Sequence, residues 1–204
     1  MLQRVRPAAA TVAAIVLWIA VCPTRAEAHL NSTGLGPIYD GALHLLLSPE
    51  DLVPALALAL LAGLRGARYG RVALFALPVA WLAGGVAGSV VGHGNGTAAV
   101  VASFLLLGAL VAADAPLSLA LLTALTVSLG LVHGFLNGAG MGQPGVAAQA
   151  LFGIAAVLFV LTALVVAFVV ELRQPWSRIA VRVLGSWIAA SGLLMLGWAL
   201  RPIR

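Results

Sequence analysis

The side chains in this sequence best equipped for chemistry are four histidines, His29, His44, His93 and His133, with a few carboxylates near the first two. Asp40 precedes His44 by four residues, so a helix would put both on one face. Neutral imidazole with carboxylate suits borderline divalent ions such as Ni²⁺, Co²⁺ or Zn²⁺. Each residue also has a plainer use. Ser48-Pro49-Glu50-Asp51 reads as a helix start, in which Ser48 caps, Pro49 takes the first helical position and Asp51 closes the capping box. His93 lies between two glycines, as a loop residue would. His44, in "ALHLLL", reads as an interfacial histidine with a wet tip. His133 ends a greasy run and is followed by Gly134, Gly138, Gly140 and Gly142. A polar side chain there must face protein or water. Glycines after a spanning helix allow unwound backbone, tolerated at membrane depth where it lines a cavity. That pattern predicts a ligand at the mouth of a substrate path. A hydrolase is disfavoured, since the sequence shows no H-E-x-x-H and sets no serine beside a plausible base.

The elements that must position these residues are helices in lipid. Of 204 residues, 62% are hydrophobic and 8% charged, against roughly 25% charged in a soluble domain. A bilayer crossing takes about 20 mostly apolar residues. Six such segments are predicted, near 49–65, 72–92, 97–113, 116–134, 145–170 and 179–200, in an all-α polytopic bundle. The net charge of +5 comes from arginines scattered through short loops, with no basic stripe for nucleic acid. The chain contains no lysine, which excludes a P-loop and with it a nucleotide motor of its own.

Residues 1–28 read as a signal peptide: Arg4 and Arg6, a short apolar stretch, then the small-x-small site Ala26-Glu27-Ala28. Cleavage there would leave a mature six-helix domain of residues 29–204 and expose His29 as an N-terminal chelator through its α-amine and ring. It would also remove Cys22, the single cysteine. With that end outside, Arg65, Arg68, Arg71, Arg173 and Arg178 fall in the cytoplasm, as the positive-inside rule asks. Both mature termini are then non-cytoplasmic in a bacterial inner membrane, and all four histidines share the outer side.

Several blocks in order resemble the HupE/UreJ family of membrane proteins associated with nickel, sometimes cobalt, uptake for hydrogenase and urease. The mature start at His29 resembles the family's frequent N-terminal histidine. "GALHLLLSPEDLV" resembles a G-x-x-H-P-x-x-G-x-D-H-L-L block, with Gly41 and His44 on its glycine and first histidine. "LPVAWLAGGVAG" resembles the family's L-P-x-x-F-P-x-x-M-A-x-G helix through Leu77, Pro78 and Gly84. "HGFLNGAGM" resembles H-G-x-x-H-G-A-E through His133, Gly134, Gly138 and Ala139, and "RVLGSWIAASGLLML" resembles the last helix through Arg182, Gly185 and Gly192. The chain departs where the pattern has Asp-His and it has Glu50-Asp51. It departs again where Asn137 replaces a second histidine and Gly140 a glutamate.

The resemblance implies a permease for a divalent metal, nickel or cobalt, serving metalloenzyme maturation. It implies no permanently bound cofactor and no enzymatic activity. The partners are the lipid bilayer and the transported ion, and the ligand candidates are His29, Asp40, His44, Asp51, His133 and Asn137. The alternative is a non-transporting membrane scaffold or assembly protein that kept the fold and lost metal ligands.

Overall fold

The computed structural model describes residues 33–92, 96–141 and 144–201, and among them the secondary structure is entirely helical. In chain order the helices are α1 (Pro37–Leu47), α2 (Pro49–Arg65), α3 (Ala67–Val91), α4 (Thr97–Ala112), α5 (Leu119–Gly140), α6 (Pro144–Val170) and α7 (Pro175–Ala199). Residues 1–28, expected to be a signal peptide, lie outside the described residues, as do His29 and His93.

Hydropathy shapes the bundle from outside. Phe75, Phe168, Trp187 and Leu194 are all more than half exposed, a surface that water would not tolerate and lipid does. The chain is thus a multi-pass membrane protein, but its helices are unequal. α3, α5, α6 and α7 are each long and apolar enough to cross. α1 and α2 qualify only as a pair, bent by 75° at Ser48. α4 has 16 residues, about 24 Å at 1.5 Å per residue, against a hydrocarbon core of about 30 Å. By length and composition, four helices among the described residues, or five spans with the bent pair, qualify as crossings, where six were expected. The physical reason is length: the apolar periods near 49–65 and 97–113 are real helices, but short ones.

One expectation fails instructively. The segment near 116–134 does not end at His133, because α5 runs on to Gly140. Gly134 and Gly138 serve packing rather than an unwound mouth, whereas Gly140 has open space beside it and Gly142 lies outside the described residues. A Cβ at Gly134 would meet the carbonyl oxygen of Trp81, and one at Gly138 that of Gly85. α3 answers with Gly84 and Gly88, set against the backbones of Leu131 and Phe135. In lipid the hydrophobic effect does little to join helices, so this small-xxx-small meshing of two backbones is the main adhesive. Contacts progress from Leu77–Gly130 through Trp81–Gly134 to Gly85–Gly138, so α3 and α5 run parallel.

The end opposite the histidines is tied by charge. Asp114, in the turn after α4, accepts from Arg65 at the end of α2 and from Arg178 near the start of α7, the latter at 3.0 Å. Arg182 Nε donates to the Ala112 carbonyl at 2.9 Å. Asp114 has a φ of 49°, a left-handed geometry that Asp and Asn tolerate better than most residues. Asp114→Asn keeps that geometry and removes the charge. It should destabilise the protein by about 1–3 kcal/mol, because the Arg65 guanidinium, 15% exposed, is left without its counter-charge. Arg178, 44% exposed, should cost under about 1 kcal/mol when changed to Ala. Thermal unfolding of the purified variants in detergent checks the order.

Candidate metal-binding cavity

The site begins at the 75° bend. Ser48 is the N-cap of α2 and Pro49 follows at its first position, as the sequence pattern predicts. The capping box, however, is not made. The Ser48 side chain forms no cap hydrogen bond; instead its carbonyl accepts from the Asp51 N–H at 3.0 Å. The Asp51 carboxylate turns inward, 4% exposed. One oxygen meets His133 Nδ1 at 2.8 Å and the other accepts from Asn137 Nδ2 at 2.7 Å. Capping thus does not account for Asp51. A carboxylate near a helix N-terminus is favoured by the helix dipole, which helps hold a charge at this depth.

His133 and Asn137 reach Asp51 together because they are four residues apart on α5 and share its face. His133 is 1% exposed, with its ring centroid 5.6 Å from that of Trp81. The glycine contact of α5 with α3 at Trp81 is what lets that ring sit so close. The other ring nitrogen, Nε2, lies 3.2 Å from Ser103 Oγ on α4. Three helices therefore meet on one imidazole. Asn137 is 9% exposed, and with its amide nitrogen committed to Asp51, its Oδ1 is buried without a hydrogen-bond partner. Flipping the amide would set that oxygen against a carboxylate oxygen, so the orientation is fixed by charge.

Asp51 and Asn137 line a cavity of about 450 Å³ shared with His44, Glu50, Met141 and Met195. His44 is mostly buried, and its Nε2 is 4.0 Å from Asp51 Oδ2. Behind the pair, His133 and Ser103 border a second, apolar groove of about 210 Å³ between α4 and α5. The Asp51–His133 pair thus stands between a cavity of mixed polar and apolar lining and an apolar groove.

Of the sequence candidates, His44, Asp51, His133 and Asn137 converge on one place. Asp40 does not: it accepts from the Thr33 N–H at 2.5 Å and is not among the residues lining the cavity. His29 lies outside the described residues. Among the described residues no three His, Cys, Asp or Glu side chains are arranged to hold a metal ion together; the present donors are spent largely on one another.

Ser103 was missed by sequence reasoning, which found no serine beside a base. Nothing in "VVASFLLL" distinguishes it, since only the pairing of α4 with α5 brings it to His133. The Ser–His–Asp connectivity is that of a hydrolytic triad, yet the details oppose acyl transfer. The Ser103 hydroxyl donates to the Val100 carbonyl at 2.7 Å, the shorter of its contacts. It also sits inside α4, where neighbouring N–H groups are engaged in the helix rather than free to form an oxyanion hole. Ser103 acts here as a support for the imidazole.

The model of the HupE / UreJ protein family matches residues 17–195, a span that includes every element of the cavity. No curated protein and no solved structure matches the chain. The family is a membrane transporter-type family associated with nickel and cobalt transport for metalloenzyme maturation. With that match over most of its length, the chain belongs to the HupE/UreJ family.

Proposed function

We propose that the chain is a permease for a divalent transition metal, nickel or cobalt, in a bacterial inner membrane, supplying metalloenzyme maturation. The observation that carries the reading is Asp51, a carboxylate buried between His133 and Asn137 at the wall of the cavity that His44 and Glu50 also line. An ionisable cluster of this kind inside a membrane protein is expensive and marks an ion path. His44 and Glu50 receive the ion in the cavity, and the Asn137 carbonyl oxygen supplies a lone pair that nothing else uses. The ion then competes with Asn137 for Asp51 and with Asp51 for His133. Modest affinity serves passage, because a site that binds too well does not release.

The reading has six passes, with α2 and α4 crossing despite their shortness, both mature termini outside, and residues 1–28 removed as a signal peptide. Support for the orientation comes from the arginine-rich end around Asp114, which the positive-inside rule assigns to the cytoplasm. An inside-negative potential then draws a divalent ion inward by roughly 4.6 kcal/mol per 100 mV, twice the single-charge value. The ligand set is His29, His44, Asp51, His133 and Asn137; Asp40 is a weaker candidate on its geometry.

One observation favours the scaffold alternative. Asp51 and Asn137 occupy positions where the family pattern carries histidines, and they satisfy each other by a hydrogen bond, which is how a site that had ceased to bind metal would settle. Accumulation of nickel, cobalt and zinc in cells with and without the protein separates the two. The permease reading expects raised nickel or cobalt content with the protein present. Equal content for all three ions, with the protein in the membrane, leaves the scaffold reading.

A further inference from the structure

The chain has three methionines, and the two beyond Met1 both line the cavity. Met141 directly follows α5 and is 5% exposed; Met195 comes from the last turns of α7. They share the cavity with His44 and with the unpartnered, nine-tenths buried carbonyl oxygen of Asn137. Thioether sulphur is a poor ligand for Mg²⁺, Ca²⁺ or Mn²⁺ and only a modest one for Ni²⁺. It is a good ligand for a soft d¹⁰ cation, above all Cu⁺. A methionine can also be a plain gap-filler. Half-buried Met195 also borders two apolar grooves beside α7, as a gap-filler would, but that use does not require both methionines to meet in the wall that holds His44, Glu50 and Asp51.

We propose that the cavity is also a binding site for Cu⁺, with Met141, Met195 and His44 as its ligands. The two sulphurs and the imidazole supply the soft donors, and the site needs no deprotonated thiol, which the described chain could not provide. The inference uses the same cavity as the permease reading but does not depend on any ion crossing the membrane. In that reading Cu⁺ would occupy the entrance and compete with the transported ion.

The test is Cu⁺ binding to the purified full chain in detergent, under reductant, against a chromogenic Cu⁺ chelator, with Ni²⁺ binding measured in parallel. The Met141→Leu/Met195→Leu double variant conserves volume and should fold. Its Cu⁺ affinity is expected to fall at least about tenfold while its Ni²⁺ affinity changes by less than about threefold. Selenomethionine-labelled wild-type protein gives a readout free of any substitution: selenium-edge absorption should report a copper neighbour once Cu⁺ is added. Unchanged Cu⁺ affinity in the double variant, or no copper neighbour at selenium, overturns the proposal. So does an equal loss of Cu⁺ and Ni²⁺ binding, which would show general damage to the cavity. Cu⁺ binding that depends on the methionines in a protein that accumulates neither nickel nor cobalt would keep this site and remove the permease reading alone.

Discussion

Asp51→Ala should lower nickel or cobalt uptake per folded molecule by at least about tenfold, as losing a supporting contact of a metal site commonly does. Asp51 is where three groups meet: it faces His133, accepts from Asn137 and stands 4.0 Å from His44. Removing its carboxylate takes away the only negative charge in contact with His133 among the described residues, and leaves the Asn137 amide without its acceptor. Part of the effect will be structural, about 1–3 kcal/mol for the stranded polar groups. Folded yield must therefore be measured beside uptake. Asp51→Asn separates the two contributions, because the amide oxygen still accepts a hydrogen bond while the charge is gone. A metal path predicts that Asp51→Asn folds nearly as well as wild type and still transports poorly. His133→Ala and His44→Ala should follow Asp51→Ala in direction, with His133 the larger loss because its ring is held by three helices.

Gly138→Val should be strongly destabilising, with Gly134→Val close behind. At both positions a side chain meets a backbone carbonyl of α3, not the flexible end of another side chain. Backbone cannot repack, so α5 must move away from α3. A cost of about 3 kcal/mol or more is expected, at the upper end for overpacking, or a fall in melting temperature of about 6–12 °C for a chain of this size. The same displacement would draw His133 and Asn137 off Asp51, so uptake should fall with stability. Gly140→Ala is the control: no atom lies within 4 Å of the added Cβ, and stability should stay within about 0.5 kcal/mol. Thermal unfolding of detergent-purified protein by intrinsic fluorescence reads all three.

These two predictions also mark where sequence reasoning reached and where it stopped. Apolar periodicity locates every helix except α1, because a window of about 20 residues looks for complete spans and passes over an 11-residue piece joined at a sharp bend. The histidine and carboxylate at 133 and 51 were legible as chemistry, and Asn137 was legible through the family pattern. Their mutual contact was not, since Asp51 and His133 are 82 residues apart in sequence. The capping box misled for a physical reason. Serine, proline and aspartate at those spacings do start a helix here, but the Asp51 carboxylate has a better partner in the His133 imidazole across the bundle than in the backbone N–H of Ser48. The glycines after His133 misled likewise. Glycine lowers helix propensity in water, whereas in lipid the same residue is what allows two helices to touch.

Metal flux through the purified protein tests the central claim most directly. Wild-type chain and Asp51→Asn would be reconstituted into lipid vesicles carrying an internal nickel- or cobalt-sensitive dye, with a potential imposed across the membrane. The account predicts dye response in wild-type vesicles that grows with the potential and is largely lost in Asp51→Asn at equal protein content. Equal flux from both proteins, or none from wild type above protein-free vesicles, would contradict it.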